Sequence, residues 1–262
     1  MMRLLTAAGS GNLVYRWRSF VLKHLGNVRT IFELALMVAV IVLIVNRVAP
    51  EVVWRESVIS RVPTDQKVVA LTYDDGPHPV FTPEILDILD KYHVKATFFM
   101  IGKQMEEHPD IVREVLKRGN VIANHTYTHP RDIELDTQAQ VIRELDQCEM
   151  TIEKLTGSRA HLFRPPRGMM DGSVFTIAKE EGYQTILWTV CADHHDAPTP
   201  ELMAKRVVDH IRRGGIILAH DGAFPMRWKD VRATKLIIEA LRKEGYRFVT
   251  VPELLKIGAK NR

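Results

Sequence analysis

Two short motifs in the sequence contain residue types that bind metal ions and move protons. Asp74 and Asp75 are adjacent carboxylates in an Asp-Asp-Gly-Pro segment, and His125 and His129 are four positions apart. Neighbouring side chains diverge, so one aspartate can bind a metal while the other abstracts a proton. The i, i+4 spacing predicts that both imidazoles lie on one face of a helical turn, a common arrangement for chelating one metal ion.

Asp75, His125 and His129 together form a predicted site of two histidines and one carboxylate. Three protein ligands leave coordination positions open for water and substrate, which is typical of catalytic rather than structural metal sites. We therefore expect a divalent metal ion as cofactor, with zinc favoured and cobalt, nickel, manganese or iron as alternatives. The structural alternative is an ordinary acidic turn, because Asp-Asp-Gly-Pro is also good turn chemistry.

Further polar residues follow apolar runs of strand length. Arg164 and Arg167 flank two prolines in a rigid turn, and Arg164 could pair with a catalytic carboxylate and hold it ionised. His220 follows the apolar run Ile216–Ala219, which indicates a general acid or base. The alternatives are a solvated surface arginine and a histidine at the edge of the core that bonds to backbone.

Strand-length apolar runs alternate with helical patterns beyond residue 66, which predicts parallel βαβ units. The predicted strands are Val68–Tyr73, Ala96–Ile101, Val121–Ala123, Leu162–Phe163, Thr185–Val190, Ile216–Ala219 and Arg247–Val251. The predicted helices are Thr82–Tyr92, with Thr82 as N-cap, then Asp110–Arg118, Thr137–Leu155, Ser173–Glu181, Pro200–Arg212 and Val231–Glu244.

We expect an α/β fold, a distorted or incomplete (β/α)7–8 barrel preceded by an N-terminal membrane-anchor helix. A doubly wound open sheet is the alternative. In a parallel barrel the strands deliver side chains to one face, so the polar clusters that follow them should converge there.

The positive charge is concentrated at the N-terminus. The chain has 36 Lys and Arg against 32 Asp and Glu, but residues 1–50 contain six basic residues and one acid, Glu33. The remainder is nearly neutral, which argues against a basic nucleic-acid-binding domain, and we expect no nucleic-acid partner. The content of 46% hydrophobic and 26% charged residues is that of a folded protein rather than a disordered one.

The apolar run over residues 31–45 reaches membrane-spanning length when it is extended to Ala49. Five of the six basic residues precede it, which predicts a cytoplasmic N-terminus. Arg47, two residues before Ala49, makes a poor cleavage site, so we expect an uncleaved anchor rather than a signal peptide or a buried core helix. The predicted segments are a basic cytoplasmic segment at 1–30, a single-pass anchor at 31–49, a linker at 50–66 and an extracytoplasmic catalytic domain at 67–258.

The two cysteines, Cys148 and Cys191, make neither a disulfide framework nor a Cys-x-x-Cys metal motif. We expect two buried free thiols. A single bridge between them is the alternative.

These clusters, in this order, resemble the motifs of the polysaccharide deacetylases with a NodB homology domain, carbohydrate esterase family 4. The similarity extends from about Lys67 to Leu255. Thr-Tyr-Asp-Asp-Gly-Pro at 72–77 matches the family's T-F-D-D-G-P, and His-Thr-Tyr-Thr-His at 125–129 matches H-[ST]-x-x-H. Arg-Pro-Pro-Arg-Gly at 164–168 is similar to R-x-P-Y-G, and Ile-Leu-Ala-His at 217–220 resembles L-x-x-H.

The resemblance implies metal-dependent removal of N-acetyl groups from N-acetylhexosamine units of a cell-wall or related polysaccharide, with release of acetate. The implied roles are metal ligands for Asp75, His125 and His129, general base for Asp74 with Arg164 orienting it, oxyanion donor for the Arg167 backbone N–H, general acid for His220, and acetyl-pocket lining for Ile217 and Leu218.

The sequence departs from the family pattern in two places. Arg167 replaces the usual aromatic residue, which makes the groove wall cationic. The carboxylate that pairs with the acid histidine is missing from its usual position, and Asp193 or Asp196 could supply it; we favour Asp193. This second departure leaves two alternatives open: a membrane-anchored glycan-binding protein with a degenerate site, and a metal-dependent O-acetyl esterase or other amidase.

Overall fold

The computed structural model describes residues 31–42, 57–222 and 225–260. The chain divides into two units, Met1–Val53 and Trp54–Arg262. In the first unit, residues 31–42 form a helix (α1) with exposed apolar side chains. No helix within the described ranges combines the length and the apolar character needed to cross a membrane. The predicted segments 1–30 and 43–49 lie outside the described residues, and the anchor over 31–49 therefore stays a prediction.

A parallel sheet of eight strands is the core of the second unit. The strands are β1 (Val68–Asp74), β2 (Thr97–Met100), β3 (Val121–Asn124), β4 (Leu162–Phe163), β5 (Gln184–Thr185), β6 (Val190–Cys191), β7 (Gly215–His220) and β8 (Arg247–Val249). Their order is β5-β4-β3-β2-β1-β7-β6, and β8 pairs with β1. This order runs round a curled sheet in one direction, which confirms the α/β prediction and fits an incomplete (β/α)7–8 barrel rather than a doubly wound sheet.

Helices cover the outside of the sheet. They are α2 (Phe81–Lys91), α3 (Gly102–Glu107), α4 (Pro109–Lys117), α5 (Gln138–Thr156), α6 (Gly172–Glu180), α7 (Pro200–His210), α8 (Trp228–Lys243) and α9 (Val251–Ala259). All six predicted helices are present. The prediction that Thr82 is an N-cap is wrong, because α2 begins one residue earlier and the Thr82 hydroxyl donates to Asp221 at 2.6 Å.

The two faces of β1 bury different kinds of side chain. Val69, Leu71 and Tyr73 pack against the surrounding helices, whereas Val68 and Ala70 belong to a second cluster inside the curled sheet. Successive side chains of a strand alternate between its faces. Thr72 and Asp74 therefore share the inner face with Val68 and Ala70, which directs Asp74 into the mouth of the barrel.

The strand predicted over Thr185–Val190 is two strands in the structure. β5 pairs with β4 at one edge of the sheet, and β6 pairs with β7 at the other. The chain between them crosses the gap in the barrel. Ile59 occupies part of this gap, since its N–H donates to the Thr185 carbonyl at 3.0 Å and its own carbonyl accepts from the Leu187 N–H at 2.9 Å. Periodicity alone does not distinguish such a crossing from a continuous strand.

Both cysteines are free thiols, as expected. Cys148 is buried and Cys191 is half-buried. The prediction of burial is therefore correct for Cys148 only.

Candidate active site

Arg164 lies at the centre of the site and is completely buried. Its Nη1 donates to Asp74 Oδ1 at 2.6 Å and to Thr72 Oγ1 at 2.9 Å. Its Nε and Nη2 donate to the carbonyl oxygens of Ile186 at 3.1 Å and Leu187 at 3.2 Å. A buried cation is tolerated only when it is paired and hydrogen-bonded, and here the partners include the Asp74 carboxylate. The structure therefore brings Arg164 and Asp74 together.

Asp75, His125 and His129 present their donor atoms to one point. Asp75 Oδ1 lies 3.5 Å from His125 Nε2 and 3.3 Å from His129 Nε2. One ligand atom from each residue lies within 4.8 Å of the other two. Burial opposes ionisation of Asp75, but the hydrogen bond and charge of His125, with the charges of His220 and His129, outweigh it and hold the pKa of this carboxyl well below its usual range. An ionised carboxylate beside two imidazoles suits a divalent metal ion.

The tautomer of His125 also fits metal binding. Its Nδ1 lies 2.7 Å from the Arg164 carbonyl oxygen, which can only accept a hydrogen bond. Nδ1 therefore carries a proton, which leaves Nε2, on the side of Asp75, as the nitrogen that can bind a metal ion. In most histidine ligands of metals, the ring nitrogen that does not bind the metal donates a hydrogen bond of this kind, which orients the ring.

The helical turn expected over His125–His129 is absent, and that prediction is wrong. These five residues form a loop in which Thr126 and His129 have positive φ angles of 67° and 60°. Glu144 on α5 holds the loop, because its carboxylate accepts from the Tyr127 N–H at 2.9 Å and from the Thr128 N–H at 2.8 Å. The Thr128 hydroxyl donates to the same carboxylate at 2.7 Å. The loop, rather than helical periodicity, brings the two imidazoles together.

His220 ends β7 next to Asp74 in the strand register. Its Nδ1 lies 3.0 Å from Asp193 Oδ2. Asp196, the other candidate carboxylate, lies elsewhere and pairs with Arg206 at 2.5 Å and with His194 at 3.0 Å. Of the two alternatives, the structure places Asp193 against the histidine.

The pKa of His220 depends on two opposing effects. Burial lowers it, but the nearby negative charge of Asp193 raises it by more, and the net shift is upward from its ordinary value. The pKa of the Asp193 carboxyl is held well below its usual range, because its contacts with His220, Cys191 and Arg227 outweigh its burial. At pH values below its raised pKa, His220 is therefore an imidazolium that lies beside the Asp193 carboxylate.

The three residues expected to line the substrate groove occupy different places. Arg167 has a positive φ of 58° in a 3₁₀ turn, Pro166–Gly168, and its exposed guanidinium lies 3.7 Å from Asp132. Leu218 lies on the same face of β7 as His220, since the two are separated by one residue. Ile217 is on the opposite face and packs into the helix-side core, away from His220.

Sequence reasoning missed Arg227, which lies in a 3₁₀ turn, Pro225–Arg227, ahead of α8. Its guanidinium contacts three carboxylates, those of Asp193, Asp75 and Asp230. Sequence reasoning also missed Glu144. Neither residue belongs to a motif, and their partners are distant in the sequence, so local patterns carry no signal for them.

Replacing Glu144 with alanine is expected to weaken zinc binding without unfolding the protein. The Tyr127 and Thr128 N–H groups would lose their acceptor, and the loop that holds His129 would no longer be fixed. Removing a partner behind a metal ligand typically costs about 10- to 100-fold in affinity. Isothermal titration calorimetry of zinc into the metal-free protein measures this loss.

The matched control is Glu153→Ala, because Glu153 is an exposed carboxylate on the same helix and pairs only with Arg159 among the ion pairs described. Equal zinc affinity in the Glu144→Ala variant and the wild type would contradict a role for Glu144 in holding the loop.

Comparison with known proteins places this site in a family. Residues 61–186 match the family model described as polysaccharide deacetylase. The chain is 41% identical over 197 residues to a peptidoglycan-N-acetylglucosamine deacetylase of Bacillus cereus, covering 74% of this chain and 91% of that protein. It is 33% identical to a chitooligosaccharide deacetylase of Sinorhizobium fredii, covering 74% and 95%.

Solved structures agree with the sequence comparisons. A peptidoglycan N-acetylglucosamine deacetylase in complex with an N-hydroxybenzamide matches with a TM-score of 0.74 and 32% identity, covering 78% of this chain and 96% of that one. Residues 61–186, which match the family model, include the two aspartates, the two histidines and Arg164. The chain therefore belongs to the polysaccharide deacetylases of carbohydrate esterase family 4, which are hydrolases.

Proposed function

We propose that this protein is a metal-dependent deacetylase that removes N-acetyl groups from N-acetylhexosamine units of a cell-wall or related polysaccharide and releases acetate. One observation carries the proposal. Asp75, His125 and His129 could hold a metal ion, and the same site contains Asp74, held by the buried Arg164, and His220, which lies against Asp193. Such an arrangement supplies a candidate base and a candidate acid beside one metal site.

A divalent metal ion, with zinc favoured and cobalt, nickel, manganese or iron as alternatives, would be held by Asp75, His125 and His129. When bound, it supplies a Lewis acid that polarises the acetamide carbonyl and lowers the pKa of water. The donor set fits, since it combines an ionised carboxylate with two imidazole nitrogens, and one imidazole is already fixed in the required tautomer.

Asp74 is the proposed general base. Arg164 occupies its Oδ1, so the proton of the attacking water passes to Oδ2, which faces the metal ligands and lies 3.8 Å from His125 Nε2. The water oxygen forms a bond to the acetyl carbon. The Arg167 backbone N–H would stabilise the negative charge that develops on the carbonyl oxygen.

His220 is the proposed general acid, with Asp193 as its carboxylate partner. When the bond between carbon and nitrogen breaks, the nitrogen needs a proton to leave as a neutral amine. The imidazolium of His220 donates that proton. Leu218, on the same strand face, would line the space for the acetyl methyl group, and a binding role for Ile217 would have to operate through its backbone.

Acetate release from N-acetylated glycans is the direct test of this proposal. Asp74→Asn is expected to lower kcat by at least about 100-fold, because amide nitrogen cannot accept the proton. A chelator should abolish release, and added zinc should restore it. The matched control is Asp110→Asn, at a fully exposed carboxylate on α4. Chelator-insensitive release, or full activity in Asp74→Asn, would exclude the mechanism.

The pH dependence of kcat/KM tests the pair of His220 and Asp193. An acid must be protonated, so activity falls as pH rises through the raised pKa of His220. Asp193→Asn removes the charge that raises this pKa, and the alkaline limb should move down by about one pH unit. Asp196→Asn, the control, should leave the limb in place. If the alkaline limb does not move in Asp193→Asn, the general acid is a group other than the His220 that Asp193 contacts.

The two alternatives give different results in the same assay. A glycan-binding protein with a degenerate site would bind N-acetylated glycans without turnover. A metal-dependent O-acetyl esterase or other amidase would act faster on those substrates than on N-acetyl sugars when the two are compared side by side. The contact between Asp193 and His220 favours turnover, because it supplies the carboxylate whose apparent loss motivates the degenerate-site alternative.

We propose further that residues 31–49 anchor the protein in the cell membrane by a single pass, with a cytoplasmic N-terminus and an extracytoplasmic catalytic domain. Support comes from the apolar run, from the exposed apolar side chains of α1, and from the basic residues that precede it.

Cell fractionation tests the proposed anchor. The full chain should stay with membranes at high salt, and a chain lacking residues 1–49 should be released. Protease added outside intact spheroplasts should remove the catalytic domain. Recovery of the full chain in the soluble fraction would contradict the anchor, and protection from the protease would contradict its orientation.

A further inference from the structure

We propose that Arg227 is a positioning residue for the acid half of the site, a permanent cation that holds Asp193 against His220 and links this pair to the metal ligand Asp75. The inference rests on the proposed function and deepens it, because it names a residue that controls the proton donor. A guanidinium cannot lose its charge in a protein, so its effect is present at every working pH.

The geometry of Arg227 suits this role. Its Nη1 lies 2.5 Å from Asp193 Oδ2, and its Nη2 lies 3.6 Å from Asp75 Oδ2. Its Nε donates to the Gly222 carbonyl at 3.1 Å, which fixes the plane of the guanidinium. The side chain is only 12% exposed. One rigid group thus spans the distance between the acid's partner and a metal ligand.

Carboxylates predominate around His220. The charged groups around it come from every neighbouring segment. They are Asp74 beside it in the register of β1, Asp75 from the loop after β1, Asp193 from the loop after β6, Asp221 next to it in the chain, and Arg227 and Asp230 from the segment after β7. Burial raises the pKa of the Asp221 carboxyl to about 7 and that of Asp230 to about 6, so neither is fully ionised near neutral pH. Arg227 supplies the positive charge within this group.

Asp193, His220 and Asp230 also place their ligand atoms within 4.8 Å of one another, a spacing that could hold a cation. Arg227 fills that position, since its Nη1 approaches Asp193 Oδ2 at 2.5 Å and Asp230 Oδ2 at 3.6 Å. The second cluster is therefore built around a guanidinium, and His220 stays available as a proton donor instead of becoming a metal ligand.

His220 and Arg227 share one carboxylate oxygen of Asp193. Asp193 Oδ2 lies close to both His220 Nδ1, at 3.0 Å, and Arg227 Nη1. Asp193 raises the pKa of His220, and the charge of Arg227 opposes that rise. A general acid works best when it can also release its proton near the working pH. Arg227 therefore limits how strongly Asp193 stabilises the imidazolium.

The test compares Arg227→Met, Arg227→Lys and the wild type at saturating zinc. In Arg227→Met the alkaline limb of kcat should move up by about one pH unit, because a cation near His220 is lost. The value of kcat on the plateau should fall by about tenfold, which is less than the roughly 100- to 10,000-fold that a general acid contributes, because His220 itself is kept. Arg227→Lys keeps the charge but lacks the planar guanidinium. Its alkaline limb should therefore lie at the wild-type pH, whereas its plateau kcat should lie between those of Arg227→Met and the wild type.

Titration of His220 by NMR gives a readout that does not depend on turnover. The His220 resonance, assigned by its absence in His220→Gln, should titrate at higher pH in Arg227→Met. The matched control is Arg232→Met, at an exposed arginine on α8 that lies over the Trp228 ring at 5.0 Å. It should change neither the limb nor the titration.

A merely structural role for Arg227 would lower kcat equally at every pH and leave the His220 titration unchanged, and that result would overturn the proposal. If Arg227→Met does not fold, Arg227→Gln replaces it, because it also removes the charge. If the wild type releases no acetate from any glycan, the proposed function fails, while the His220 titration still decides whether Arg227 acts on this histidine.

Discussion

The site depends on a single buried cation. Arg164 fixes the Asp74 carboxylate through its side chain and the His125 tautomer through its backbone carbonyl. Its guanidinium also binds the carbonyl oxygens of Ile186 and Leu187, which lie where the chain crosses the gap in the barrel. Removing one partner of a buried ion pair typically costs about 3–5 kcal/mol, because an unpaired charge is left behind. The Asp74 carboxylate, the His125 imidazole and the closure of the barrel therefore depend on one another.

The relative positions of the proposed base, Asp74, and the proposed acid, His220, follow from strand geometry. The inner face of β1 carries Thr72 and Asp74, and the adjacent strand β7 carries His220 in register with Asp74. Parallel strands end on the same side, so these two groups reach the mouth together. The proposed metal ligands lie in the loops that follow, where Asp75 and His129 adopt positive φ angles that a regular strand or helix does not allow.

Local patterns in the sequence were sufficient for the ends of β1, β3, β4 and β7 and for the residues directly after them, but not for the strand predicted over Thr185–Val190. Asp74, Asp75, His125, Arg164 and His220 could be predicted because each belongs to a contiguous motif at a strand end. Patterns failed where conformation depends on distant partners. The loop between His125 and His129 is shaped by Glu144 on another helix, and Thr82 bonds to Asp221 rather than capping α2. Arg227 reaches the partners on which its proposed role depends only when three loops meet.

The gap in the barrel determines where the folded unit must begin. Ile59 bonds to Thr185 and Leu187 across that gap, and the Val62 N–H donates to the Gly214 carbonyl at 2.9 Å. A fragment that starts at residue 67, the boundary suggested by the motifs, would leave these edge groups without partners, and unpaired strand edges favour association with other chains. The segment before the first strand thus protects the sheet from aggregation, and it sets the shortest fragment that should remain monomeric.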